Sequence, residues 1–292
     1  MELIHFSFPA PPALKKGTAG GITAGMAGGT AGGITANAAS GQTSTLTAAQ
    51  ANCRQGLQRV HCVFQTRQGG FSKHPFNEGN IAYTVNDDPA AVLANRKALL
   101  AQLGINAWAE ENQVHGDDMV LDAQATALES KGQHNADGLT SSETGLGLMI
   151  KTADCQPILI AHQSGKYIAA LHVGWRGNRI NFIGKAIKQF CAHYQIEPAH
   201  LLAVRGPSLS PSKAQFTNFE AEWGESFLPW FDQENKTMDL WQLTRHQLTK
   251  AGLPEANIHG INLCTYTAPD LFFSYRRNKN LSGRQASFIW IE

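Results

Sequence analysis

Charge is scarce in this sequence. Lys plus Arg number 24 and Asp plus Glu 23, so the net charge is +1 and only 16% of the 292 residues are charged. A field that weak exerts no general pull on nucleic acid or on a membrane surface, and neither is expected as a partner. No run of 18 or more apolar residues occurs, which excludes an ordinary transmembrane helix. The opening MELIHFSFPAPP has no basic stretch followed by an apolar one, so no secretory leader is expected. Cysteine is also sparse. Cys53, Cys62, Cys155, Cys191 and Cys264 are odd in number, scattered, and form no CxxC pair. That argues against a disulfide framework and for a reducing, cytoplasmic setting.

What is present divides into two unequal parts. Residues 17–50 are rich in Gly, Ala and Thr, carry no charge, and contain TAGGITA twice, at 18–24 and 30–36. Such a stretch buries too little apolar surface to offset its ordering entropy, so it reads as a flexible low-complexity insertion. The rest suits one compact domain spanning 1–292 around that insertion. The segment QRVHCVFQT (58–66) has strand character and leads into a Gly-Gly turn. Residues 88–103 read as a helix, with Asp88 as cap, Pro89 at the first position and Gly104 as stop. NQVHGDDMVLD reads as a short strand around His-Gly. Residues 157–162 and 167–172 read as a hairpin turning at Ser164-Gly165. That register sums to about 329, so Pro157 faces His172 and Cys155 lies just beyond the same mouth. Residues 178–194 read as one helix with Cys191 in its apolar stripe. A strand at 201–207, a helix over 239–251 capped by Asp239, a strand in NIHGINLCTYT, a basic loop in FFSYRR and a closing strand complete the chain. Cys264 reads as a packing residue. Helices and strands do not alternate regularly, which predicts an α+β fold.

Three residues stand together chemically: His115 in QVHG, Cys155 in TADC and His172 in HVGWRG. Two imidazoles and a thiolate suit Zn²⁺, and three protein ligands leave a fourth position open, as in catalytic sites. The same atoms permit a second reading. Cys155 as nucleophile with His172 as base is a hydrolase or amidase arrangement. Spacing alone leaves both open, together with a third reading of an interaction protein tethered by 17–50.

The motifs TRQGGFS (66–72), GNIAYTVNDDPAAVLANR (79–96), QVHG (113–116), ADGLT (136–140), KTADCQP (151–157), HVGWRG (172–177), GPSLSPSKAQF (206–216) and CTYTAPDLFFSYRRNKNLSGR (264–284) occur in one order. In this the chain resembles the laccase-domain family, also called multicopper polyphenol oxidase or YfiH-like, whose members are described as purine nucleoside phosphorylases. The resemblance implies an αββα sandwich and a zinc site at His115, Cys155 and His172. It implies cleavage of purine nucleosides by phosphate, with adenosine deaminase and methylthioadenosine phosphorylase activities. It also implies, for some bacterial relatives, a role in editing cell-wall (peptidoglycan) precursors. Phosphate calls for arginine forks, and the candidates are Arg67, Arg176, Arg276, Arg277 and Arg284, with Arg67 and Arg176 preferred. Deamination calls for an activated water and an acid/base group, for which Asp137 and Asp154 are candidates. The oxidase label finds no support, because the 11 histidines include no HxH pair. Copper binding at the N/S site would be adventitious. A monomer or small homo-oligomer acting on small molecules is expected.

Overall fold

The computed structural model describes residues 1–9 and 55–292. The stretch 17–50 and Cys53 lie outside the described residues. In chain order the regular elements are β1 (Leu3–Phe6), β2 (Val60–Gln65), α1 (Pro89–Leu103), β3 (Ala107–Ala109), β4 (Met119–Val120), β5 (Gly138–Ser141), β6 (Leu146–Thr152), β7 (Gln156–His162) and β8 (Ile168–Val173). They continue with α2 (Trp175–Arg179), α3 (Phe182–Tyr194), β9 (Leu201–Arg205), α4 (Phe219–Glu222), β10 (Phe231–Asp232), β11 (Thr237–Met238), α5 (Leu240–Lys250), β12 (Ile258–Gly260), α6 (Tyr275–Asn278) and β13 (Gln285–Ile291). Helices and strands are mixed without regular alternation, so the fold is α+β.

The described strands form a five-stranded sheet in the order β1-β2-β13-β6-β3, a six-stranded sheet in the order β12-β9-β7-β8-β5-β4 and a separate β10-β11 pair. Alternation along each strand sorts the apolar side chains. Cys62, Phe64, Leu148, Ile150 and Ile289 of the first sheet share a cluster with Leu159, Ala170, Leu202 and Val204 of the second. The opposite face of the first sheet, with Val63, Met149 and Phe288, packs on Leu99 and Leu103 of α1. The opposite face of the second, with Ile158, Ala169 and Leu171, packs on Phe182, Ile183, Ile187 and Phe190 of α3 and Leu248 of α5. β6 and β13 are buried along their whole length, which is why LGLMIKT and QASFIWI lack a polar face.

The local expectations hold where short-range chemistry sets them. Asp88 accepts from the Ala90 N–H, and Gly104 closes α1 at φ 68°. Asp239 caps α5 by accepting from Gln242 N–H. The hairpin register places Pro157 opposite His172. Cys191 is buried in the α3 cluster. Cys264 is buried, its Sγ accepting from the Ser210 N–H at 3.3 Å.

Four segments differ from the sequence reading. The helix expected over 178–194 is two helices. Asn181 breaks it at φ 54°, a conformation asparagine tolerates, and the buried Asn178 side chain is committed to Gln156, Thr244 and Gln247. The strand expected around His115 is only Met119–Val120, because His115 itself is left-handed at φ 61°. NIHGINLCTYT is extended in the ladder only over Ile258–Gly260, after which Arg205 binds the Ile261 carbonyl and the Asn262 side chain. FFSYRR runs from an irregular start into a short helix, Tyr275–Asn278, capped by Ser274, which accepts from the Arg277 N–H.

Candidate metal centre

Each of the three chemical residues is carried by a segment with its own fixing device. Gln113 inserts its amide against β6, accepting from the Lys151 N–H at 2.8 Å and donating to the Lys151 carbonyl at 2.7 Å. This imitation of a strand partner docks the QVHG loop, and the left-handed turn at His115 then aims the imidazole back toward β7 and β8. Cys155 follows Asp154, which is left-handed at φ 98°. The Asp154 carboxylate accepts from Thr265 Oγ1 at 2.7 Å and from the Arg276 N–H at 2.5 Å. These bonds fasten the TADC turn to the C-terminal loops. His172 is rigid because it lies within β8, paired with β7 and adjoining β5.

The three side chains meet. One ligand atom from each of His115, Cys155 and His172 lies within 4.8 Å of the others, and among them His115 is exposed, Cys155 partly exposed and His172 buried. Cys155 Sγ is 3.7 Å from His115 Nε2. A tetrahedral zinc with a sulfur bond of about 2.3 Å and a nitrogen bond of about 2.05 Å sets its S and N ligands about 3.6 Å apart, so this pair has the spacing, and the two imidazoles and thiol the donor chemistry, that suit such an ion. Gly174 makes this approach possible. A Cβ there would stand 3.0 Å from both Cys155 Sγ and His115 Cδ2.

Asp137 stands behind the cluster, buried to 1% exposure. Its Oδ1 binds His172 Nδ1 at 2.7 Å and accepts from the His115 N–H at 3.1 Å. Its Oδ2 accepts from the Gly116 and Val114 N–H groups at 2.7 and 3.2 Å. One carboxylate therefore orients both histidines, leaving His172 Nε2 to face the cluster, the usual outer-shell support of a metal-binding imidazole. Burial pushes the Asp137 carboxyl up, but the His172 bond and the loop N–H groups outweigh it, so it sits below the ordinary range.

The cluster is electrostatically coupled. Burial raises the Cys155 thiol, yet the His172 charge and the bonds from both histidines pull it down to about 6. Burial lowers His172, while the Cys155 thiolate and the Asp137 bond push it up to about 9. Without a metal, thiolate and imidazolium stabilise each other. A metal would take the place of the His172 proton, so binding releases that proton.

The arginines separate. Arg67 spends its guanidinium on the carbonyls of Asn77 and Pro269 and lies 4.5 Å over the Phe273 ring. Arg176 is exposed, 4.6 Å over Trp175 and two residues beyond Gly174. Arg277 is bound to the carbonyls of Thr265, Tyr266 and Phe272. Arg276 gives its guanidinium to the Gln215 carbonyl. Arg284 donates through Nη1 to the carbonyls of Ser282 and Gly283 and stands within electrostatic reach of Cys155 and Asp154. Burial lowers its pKa against those two negative charges. Sequence reading named Arg284 without preferring it, since it lies 129 positions from Cys155 and only β13 returns it to the site. Gln113 and Gly174 were missed. The signal for Gly174 was its place inside HVGWRG, directly before a helix.

A family model described as multi-copper polyphenol oxidoreductase laccase matches residues 61–292. The purine nucleoside phosphorylase YfiH of Escherichia coli strain K12 is 34% identical over 243 residues, which cover 80% of this chain and 94% of that protein. The purine nucleoside phosphorylase YlmD of Geobacillus stearothermophilus is 30% identical, covering 77% of this chain and 87% of that one. The crystal structure of YlmD from Geobacillus stearothermophilus superposes with a TM-score of 0.75 at 28% identity, over 81% of this chain and 93% of that chain. Family model, relatives and solved structures agree, and the chain belongs to the YfiH-like family of purine nucleoside phosphorylases, to which the laccase description also refers.

Proposed function

We propose that this chain is a zinc-dependent purine nucleoside phosphorylase, built as a single αββα domain and acting as a cytoplasmic monomer or small homo-oligomer. The observation that carries the reading is the convergence of His115, Cys155 and His172 behind a single orienting carboxylate, Asp137, in a member of this family. The substrates proposed are phosphate and adenosine, inosine, guanosine or methylthioadenosine, with adenosine deamination as a side activity.

A divalent ion held by the three ligands would supply Lewis acidity and water activation at this point. The remaining work falls to the chain itself. Phosphorolysis develops positive charge on the sugar, as glycoside hydrolysis does, and the attacking phosphate must be held beside it. Arg284 supplies cationic charge near Cys155, and the exposed Arg176 is free to reach over the mouth of the cluster, so these two are the proposed phosphate arginines. Arg67 braces the 77–79 turn. Asp137 is a positioning residue rather than the acid/base group, since both its oxygens are engaged and buried. Asp154 is a brace for the Cys155 turn.

A second reading rests on the coupled pair itself. Cys155 with its thiol lowered, His172 beside it and Asp137 on the far imidazole nitrogen form a Cys-His-Asp series, the arrangement of a hydrolase or amidase, with cell-wall precursors as substrates.

Chromatography of adenosine incubated with zinc-loaded protein, with and without phosphate, tests the first reading. Adenine and ribose 1-phosphate appearing only with phosphate are expected, and Cys155→Ala abolishes them. Inosine in both reactions marks deamination. Intact adenosine under both conditions, or full activity in Cys155→Ala, overturns the reading. Activity toward amide substrates that survives chelation and is blocked by a thiol alkylator favours the second.

A further inference from the structure

A cavity of about 590 Å³ lies between α5, β12 and the end of β9, within the range of about 300–1,000 Å³ typical of small-molecule sites. It lies at the β12 edge of the six-stranded sheet, and Arg205 enters it from the face opposite His172. Ala170 of β8 faces the other sheet and Leu171 faces α3, so His172 points between the sheets. Val204 of β9 points between the sheets, so Arg205 points to the helix side. None of the cavity's lining residues belongs to the His115–Cys155–His172 cluster.

Its walls are cationic. Arg205 is only 5% exposed. Its Nη1 donates to the Gly206 carbonyl, Ser208 Oγ and the Ile261 carbonyl, and its Nη2 to Asn262 Oδ1, all neutral acceptors. Arg245, at the rim, donates to the carbonyls of Glu255 and Ile258. Among the described residues neither guanidinium forms an ion pair. Asp239 lines the same cavity, but its carboxylate caps α5 and acts on Arg205 only at longer range. The comparison within the molecule is Arg96, equally buried, which is paired with Glu110. Burial and the neighbouring Arg245 pull the Arg205 guanidinium down to about 9 despite Asp239. Trp241 holds the guanidinium in place, its ring 4.1 Å away and its Nε1 donating to Ser208 Oγ at 2.9 Å. His259 Nε2, also in the lining, is buried without a hydrogen-bond partner among the described residues.

We infer that this cavity binds a small phosphate monoester, its phosphoryl oxygens held between Arg205 and Arg245. A buried cation with neutral partners gains most from an anion, and the guanidinium fork matches phosphoryl oxygens. The volume exceeds that of phosphate alone, which leaves room for an attached metabolite-sized group. The site is additional to any phosphate used in phosphorolysis.

Amide-resolved NMR and calorimetry of the zinc-loaded full chain with glucose 6-phosphate test this. Shifts over 258–262 and at Gln242 are expected, distinct from any near Cys155. Gln242→Glu places a carboxylate at the exposed rim and is expected to weaken this binding by about tenfold or more, leaving adenosine turnover unchanged. Arg245→Gln is expected to weaken it without adding negative charge. Absence of shifts over 258–262 at millimolar ligand, unchanged affinity in both variants, or equal affinity for citrate overturns the assignment.

Discussion

Asp137→Asn separates positioning from proton transfer at the candidate metal centre. The substitution keeps shape and removes one acceptor oxygen. With the remaining oxygen facing His172 Nδ1 and the His115 N–H, the new amide NH₂ faces the N–H groups of Gly116 and Val114, donors against donors. Two part-buried N–H groups lose their partner at the lower end of about 1–3 kcal/mol each, so the destabilisation is on the order of 2 kcal/mol. For a chain of this size that lowers Tm by roughly 4–8 °C. The loss of an outer-shell carboxylate also weakens metal affinity about 10–100-fold. Scanning fluorimetry reads the first quantity, and zinc competition against a chromophoric chelator reads the second. Wild-type Tm and wild-type zinc affinity in the variant would refute the reasoning. Loss of kcat alone, with zinc affinity intact, would make Asp137 the acid/base group.

Gly174→Ala is expected to weaken zinc binding more than stability, because its Cβ would press Cys155 Sγ and His115 at 3.0 Å. Chelator competition beside a melting curve checks this. Glu110→Gln leaves Arg96 and Lys151 buried without their shared carboxylate and is expected to cost about 3–5 kcal/mol, measured by urea unfolding. Burial and then the His200 charge pull His162 down to about 4, and its Nδ1 accepts from the Ser164 N–H at 3.2 Å, so it folds neutral. A group depressed from 6.5 to about 4 contributes stability above 6.5 that is lost as pH falls toward 4. Melting curves across that window are expected to fall less steeply in His162→Gln, and an identical slope contradicts the assignment.

The parts of this molecule that were legible in its sequence are those set by neighbours along the chain. Asp88, Pro89 and Gly104 bound α1 through local hydrogen bonds and dihedral preferences, and Ser164-Gly165 fixed a register that carried Cys155 to His172. His115 was named beside them for its chemistry, but spacing did not place it, since its loop reaches the hairpin through the Gln113 clamp on β6, 38 residues away, and through the Asp137 carboxylate. Arg284 was less legible still. Its approach to Cys155 depends on β13 threading between β2 and β6, a pairing that neither periodicity nor spacing encodes. Asn181 shows the converse. Its apolar neighbours keep helical spacing on both sides, yet the buried Asn178 network ends one helix before the next begins. A hydrophobic period records which residues face the core. It does not record where a polar side chain interrupts the backbone, as at Asn181, His115 and Asp154, the last two of which adjoin the candidate site. The left-handed residues at 115 and 154 each turn a ligand inward, so the cost of these conformations is met where the chemistry requires the direction they give.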